Sequence, residues 1–421
     1  MLGKKRRPKL ARELVSELLS KQIGQDIVGD RELSDHILYT KASGGVVAKA
    51  FSTYRLPTVG EVDSPEVRFL REHVSVAEYS HPTPLDGRQL TRLIREHDGG
   101  LDGIFCFLEP VDRGVLDAAA QKGVKWIASS GTGHDNKDKE YAAKKGIQLT
   151  NAPGALMHTV SEAAVTHALN IVLNMPKWID ETYRGCQTGC SMERGRHEKL
   201  QGKTVTVVGL GQVGFEIARR MIPFLPDKDG RGRLLYVDAQ PALKYEKEKV
   251  LQEILDSTYK ALKIAHPKDE IKRPKPVEGV SLREALRRAD VIILAPPLVR
   301  DGKYKTEGMV GKKELSLVKE TAYLVNIARG QIVDERAVAD ALATGKIAGY
   351  ATDVLVDEWK RPDHLYKAAK KGGTVVYVSE HVASNDRETR MMAMTGIMLR
   401  NAIACIRGEE PPNPINELVK R

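Results

Sequence analysis

The stretch that most restricts how this chain can fold runs from Thr204 to Gly214. Residues 204–208 are β-branched and apolar, as a strand buried on both faces requires. Gly209, Gly211 and Gly214 follow with Gln212 and Val213 between them, giving the spacing G-x-G-x-x-G, and residues 215–221 have helical apolar periodicity. A strand, a glycine turn and a helix in this order place backbone N–H groups and the positive end of a helix dipole against a pyrophosphate. A second apolar run, 234–237, ends in Asp238, an acid positioned to accept hydrogen bonds from an adenosine ribose. The reading is a dinucleotide site with a preference for NAD over NADP.

At 421 residues the chain has room for two domains. No apolar run approaches the roughly 18 residues that span a bilayer, so a soluble, cytoplasmic protein with no membrane partner is expected. The formal net charge of +10 includes a basic run at residues 4–9. A targeting signal or nucleic-acid arm is the alternative there; a solvated tail is the expectation, with no nucleic-acid partner. The positive charge would still gather a small anionic substrate. Four cysteines, Cys106, Cys186, Cys190 and Cys405, are too few for a disulfide framework, and no metal is expected at Cys186 and Cys190.

Taken in order, residues 1–44 read as an N-terminal extension with a helix over 10–22 and a polar remainder. Strands at 46–51, 74–79, 103–107, 124–128 and 148–150 alternate with helices at 64–73, 86–96, 113–121 and 141–145, which predicts a parallel α/β domain over 45–153. The loop Ser130, Gly131, Thr132 follows one of these strands, and its N–H groups could hold a carboxylate. A long apolar helix over 159–175 leads into a second domain, 154–380. There, strands at 290–295, 322–327, 348–353 and 374–378 join the first two to make a doubly wound parallel sheet. Residues 239–279 read as solvated helical turns. A Met-rich helix over 386–407 and a tail return the segment 381–421 to the first domain.

Ligands of such sheets lie beyond the carboxyl ends of the strands. Arg329, Glu358 and His381 follow three successive strands of the second domain. They are a fork for a carboxylate, an orienting acid and a proton carrier.

With these residues in place, the chain from about residue 46 onward resembles the D-isomer-specific 2-hydroxyacid dehydrogenase family. The resemblance rests on Gly131–His134 with Asn151 and Pro153, on the glycine turn, on the segment Asn326 to Gly330, on Asp353 with Glu358, and on residues 408–413. It implies two Rossmann-like or flavodoxin-like domains flanking a cleft, NAD as cofactor, hydride transfer at C2 of a small D-2-hydroxyacid or 2-oxoacid, and a homodimer. By the same resemblance His381 is the acid/base, Glu358 its partner and Arg329 the substrate clamp. The backbone at Ser130, Gly131 and Thr132 grips the carboxylate. Asp353 contacts the nicotinamide, Thr159, Pro297 and Ala328 line the cofactor, and Asp238 holds the ribose. Glu380 stands where the family commonly has Pro, and Phe107 to Pro110 replace the Arg-Ser of phosphoglycerate-oxidising relatives. Two further readings remain: oxidation of a phosphorus-containing or other small oxyanion, and an NAD-sensing co-repressor.

Overall fold

The structure is a computed structural model that describes residues 37–57, 61–79, 85–183, 198–240, 244–358 and 360–418. The basic run at 4–9, the helix expected at 10–22, and Cys186 and Cys190 lie outside the described residues; Cys106 and Cys405 are free thiols. The chain divides into two compact units, one from Gly154 to Arg390 and one formed by the segments before and after it.

In the first unit, β1 (Ile37–Thr40), β2 (Ala48–Ser52), β3 (Val74–Tyr79), β4 (Gly103–Cys106), β5 (Trp126–Ser129) and β6 (Gln148–Thr150) form one sheet in the order β1-β3-β2-β4-β5-β6. All pairings are parallel except β1 on β3. The extension expected over residues 1–44 is shorter than that, because Ile37–Thr40 is the edge strand of this sheet; four residues of strand propensity find a ladder in β3. The helices start on side-chain caps that the sequence supplies. Ser64 accepts from Val67 N–H, Asp86 from Arg88 and Gln89 N–H, and Asp112 from Val115 N–H. Apolar clusters cover both sheet faces, one around Ile104, Ile127 and Leu149, the other around Phe105, Trp126 and Leu399.

The second unit holds a parallel sheet of β7 (Thr204–Val208), β8 (Arg233–Val237), β9 (Glu278–Gly279), β10 (Val291–Leu294), β11 (Tyr323–Asn326), β12 (Gly349–Thr352) and β13 (Val375–Val378). Its order is β13-β12-β11-β10-β7-β8-β9, so the winding reverses between β7 and β10, where open sheets of this kind bind ligands. Alternate strand residues go to opposite faces: Val205, Val207 and Ile293 pack in one core, Val208, Ile292 and Leu294 in the other. Burial on both sides is why these strands read as unbroken apolar runs.

Three expectations are corrected. The long helix is α1 (Met157–Val172), and a separate helix, Met175–Tyr183, begins after Asn174 adopts a φ of 54°. Residues 239–279 are not merely solvated turns: they contain α3 (Tyr245–Ala265), which follows α2 (Gln212–Met221) and buries Leu251 and Leu255 against the sheet core. Finally, the helix expected over 386–407 is three pieces: α-helix Arg387–Met391, a π-helix Met392–Met398 and α-helix Leu399–Ile406. The compact second unit runs from Gly154 to Arg390, and within it the backbone N–H groups of His381, Val382 and Ala383 are tied to Asp353.

Candidate active site

At the reversal point the glycine turn is built by close approach. Gly209 has a φ of 90° and donates its N–H to Val237 O at 2.7 Å. A Cβ on Gly214 would lie 1.8 Å from Gly209 O, so the first turn of α2 presses directly on the loop. Gly211 differs: a Cβ there would meet nothing within 4 Å, and as the N-cap of α2 it offers no side-chain acceptor to the first N–H groups of that helix. Uncapped donors beside open space are what a pyrophosphate requires, and Gln212 and Val213 begin the helix at this point. Pro297 lies on the facing loop after β10, with its carbonyl bonded by the Thr306 hydroxyl at 2.6 Å, and a Gly209 Cβ would strike Pro296 in the same loop.

Substituting Gly211 with Ala should therefore separate folding from binding. The melting temperature is expected to stay within about a degree of the parent, since the added methyl meets no atom, while NADH affinity falls by about tenfold or more. Calorimetry and a fluorescence titration check the two halves.

Asp238, after β8, accepts Leu210 N–H on Oδ2 at 2.9 Å and Gln240 N–H on Oδ1 at 3.0 Å. It thus staples the glycine turn to the chain that follows β8.

The reacting candidates follow β11, β12 and β13, which are neighbours in the sheet with Asn326, Thr352 and Val378 in register. The loop at Arg329 is held by Asn326, whose side chain accepts Ala328 N–H at 3.1 Å and donates to Arg329 O at 2.9 Å. The Arg329 guanidinium donates to Ala328 O at 2.8 Å. Glu358 Oε1 lies 2.8 Å from His381 Nδ1. The imidazole side chain keeps 21% exposure beside the exposed Glu358, so it is half-buried yet reachable.

His381 adopts a φ of 53°, in the left-handed region that costs a non-glycine residue on the order of 1 kcal/mol or more. The surroundings enforce it. His381 N–H donates to Asp353 O at 2.7 Å, and the buried Asp353 carboxylate accepts from Val382 N–H at 3.0 Å, Ala383 N–H at 3.1 Å and the Ser379 hydroxyl at 2.6 Å. Ser379 Oγ in turn lies 2.8 Å from Nε2 of His167 on α1, whose Nδ1 is 2.7 Å from Ala163 O. Burial pushes the His167 imidazole below its ordinary pKa, so it is held neutral with Nδ1–H on Ala163 O. Sequence reasoning missed His167 and Ser379; a histidine inside an otherwise apolar helix was the available signal.

Thr159, in the first turn of α1, bonds Asp386 Oδ2 at 2.9 Å and Thr389 Oγ1 at 2.6 Å; Thr389 is the main cause holding the Asp386 carboxyl below the usual range. Ser130, Gly131 and Thr132 lie in the first unit, and there the expectation of free loop donors needs correcting. Ser130 N–H is taken by Cys106 O at 3.1 Å and Gly131 N–H by Ser129 Oγ at 3.2 Å, because the chain turns back onto its own strand. Thr132 N–H alone of the three has no partner among the described residues. The Ser130 hydroxyl accepts from Tyr54 at 3.1 Å. Among the described residues no cluster fit to hold a metal occurs, and no helix is long and apolar enough to cross a membrane.

Residues 247–383 match the family model of the D-isomer specific 2-hydroxyacid dehydrogenase NAD binding domain. A glyoxylate reductase of Pyrococcus furiosus is 30% identical over 380 residues, covering 88% of this chain and 96% of the relative. A crystal structure of a protein from Thermus thermophilus superposes with a TM-score of 0.66 at 26% identity, covering 87% of this chain and 99% of that one. A D-lactate dehydrogenase of Aquifex aeolicus, solved with NAD and lactic acid, shares the fold at 21% identity and a TM-score of 0.63, with 88% and 99% covered.

Proposed function

Since the chain belongs to the D-isomer-specific 2-hydroxyacid dehydrogenases and performs NAD-dependent hydride transfer on a small 2-hydroxyacid or 2-oxoacid, we propose that His381, Glu358 and Arg329 are its reacting set and that glyoxylate is a substrate. The observation carrying this is the 2.8 Å contact of His381 with Glu358 beside the Arg329 loop, in the same sheet as the uncapped glycine turn. The oxyanion and co-repressor alternatives draw no support from the comparisons.

Bound NAD supplies or removes the hydride at C2. In the reducing direction Arg329 grips the carboxylate and polarises the C2 carbonyl oxygen through its planar fork. His381, protonated, gives the Nε2 proton to that oxygen as negative charge develops on it, and Nδ1–H remains on Glu358 Oε1. In oxidation the same nitrogen takes the hydroxyl proton. Asp353 fixes the loop that carries the imidazole, and its family-like position supports a contact with the nicotinamide; Ala328, Pro297 and Thr159 complete the proposed cofactor lining. Mixing the protein with NADH and glyoxylate, hydroxypyruvate or pyruvate, and following absorbance at the nicotinamide band, tests the reading. NADH binding without turnover of any of these acids would refute it.

A homodimer and a cytoplasmic location are part of the same proposal. Met175, Ile179 and Tyr183 recur every four residues on the helix Met175–Tyr183, are all exposed, and leave that helix with no buried residue, an apolar stripe that a second copy would cover. Light scattering should give twice the chain mass of 46.6 kDa, and Ile179→Glu should return it to that value. A parent protein that elutes as a monomer at micromolar concentration would remove the dimer.

A further inference from the structure

The first unit contains an open groove of about 1030 Å³, lined by the helices Gly87–Glu96 and Arg113–Gln121 and by the turn at residues 135–138. Every lining residue belongs to that unit, so the groove is separate from the glycine turn and from the loops after β11, β12 and β13. Helical spacing collects cations there. Arg88, Arg92 and Arg95 share one face of the first helix, opposite the buried Leu90, Leu93 and Ile94. Arg113 begins the second helix, and Lys137 comes from the turn.

Lys137 is the deepest of these cations. It is 5% exposed, whereas Arg88, Arg95 and Arg113 are exposed. A buried ammonium needs acceptors for three N–H groups. Lys137 Nζ donates to Asn136 Oδ1 at 3.1 Å, its one hydrogen bond among the described residues. The Asn136 amide is fixed in that orientation, since Nδ2 donates to Leu108 O at 2.7 Å and to Glu109 O at 3.3 Å. The buried Glu109 carboxyl attracts Lys137 without pairing with it. It accepts Phe107 N–H at 2.7 Å, and burial holds it above the usual carboxylate range. Lys137 therefore brings a charge and two unfilled donors to the groove.

The acids of the lining are engaged. Glu96 pairs with Arg92 at 2.8 Å, and Asp138 accepts Tyr141 N–H and Arg113 Nε. Asp112 caps its helix by accepting Val115 N–H, and Asp135 is partnered as well. Five cations (Arg88, Arg92, Arg95, Arg113, Lys137) against these four acids leave one positive charge in excess. Arg88 and Arg95 make no ion pair among the described residues, and the Arg92 and Arg113 pairs are solvent-screened ones that a multivalent anion can compete with.

We propose that this groove binds a small phosphate-bearing molecule, whose phosphoryl oxygens fill the donors of Lys137 while the Arg88 guanidinium holds the remaining charge. A tetrahedral phosphoryl group has acceptors enough for an ammonium and a guanidinium fork together. The volume is that of a small-molecule pocket rather than of a macromolecular track.

Titration calorimetry of the full chain with inorganic pyrophosphate tests this, at constant ionic strength and with saturating NADH to occupy the glycine turn. The dissociation constant should lie below about 1 mM. Lys137→Met should weaken binding by about tenfold or more, the effect of one charge-assisted contact, and Arg88→Ala by about threefold or more. Lys249→Ala, which removes an exposed cation on α3, should leave binding unchanged. A constant above about 1 mM, a constant that neither groove substitution moves, or an equal loss in Lys249→Ala overturns the inference. Both groove substitutions lie in the first unit, so these outcomes do not depend on the dinucleotide reading. Should Lys137→Met not fold, as judged by circular dichroism, the exposed Arg88→Ala decides the matter.

Discussion

His381→Gln is expected to lower turnover of a 2-oxoacid by about 10² or more while NADH affinity stays within about twofold of the parent. Glutamine can occupy much of the imidazole's volume and still bond Glu358, so the loop held by Asp353 keeps its shape. What it lacks is a transferable proton, and the oxygen at C2 would have to take one from water. The measurement is steady-state kinetics beside a cofactor titration. A variant with full turnover would remove the acid/base assignment, whereas a variant that lost NADH binding would show that His381 holds the loop rather than the proton.

The second large effect is expected from a methyl group. In Gly330→Ala the new Cβ would lie 2.1 Å from the backbone C and O of Leu355 and 2.3 Å from Val356 N. No flexible side chain can move aside, so the loop after β11 and the loop after β12 must separate by an ångström or so. The cost should be on the order of 3 kcal/mol, which for a unit of this size lowers the melting temperature by about 6–12 °C. Arg329 precedes this glycine and Glu358 follows the Leu355 segment, so the shift also displaces two of the three groups proposed to react. Misplacement by that distance costs about 10² in rate. A variant that melted with the parent and turned over normally would show that the two loops are not in the contact described.

Gly330 also shows why the site is legible in the amino-acid sequence. The residues that turn a chain at the end of a buried strand are few, and those that react must stand directly after the turn. Arg329, Glu358 and His381 therefore appear at fixed short distances beyond apolar runs, and the glycine turn announces itself because Gly209 and Gly214 admit no side chain. The segment 239–279 conceals its content for the opposite reason. Its lysines and glutamates alternate in the manner of a solvated face, and the apolar residues of α3 are widely spaced among them. Read at helical spacing, Leu251, Ile254 and Leu255 do form one stripe, and two of the three are fully buried. At the loop Ser130 to Thr132 the difference lies at a finer level. Small residues after a strand do promise free N–H groups, but Ser129 supplies a hydroxyl to its own loop and takes one of them. The edge strand β1 has no signal beyond four residues, too short to separate from a loop.

The contact between Ser379, Asp353 and His167 implies an accounting of hydrogens. A neutral His167 that gives Nδ1–H to Ala163 O offers only a lone pair at Nε2, and the Asp353 carboxylate likewise offers only lone pairs. Between these two acceptors Ser379 has a single hydrogen, so the hydroxyl is a rotor with two settings. One setting fastens the strand end to the carboxylate beneath the loop that carries His381; the other fastens it to the helix behind. Each setting leaves one lone pair without a hydrogen from the serine, while the N–H groups of Val382 and Ala383 hold the Asp353 carboxylate in both.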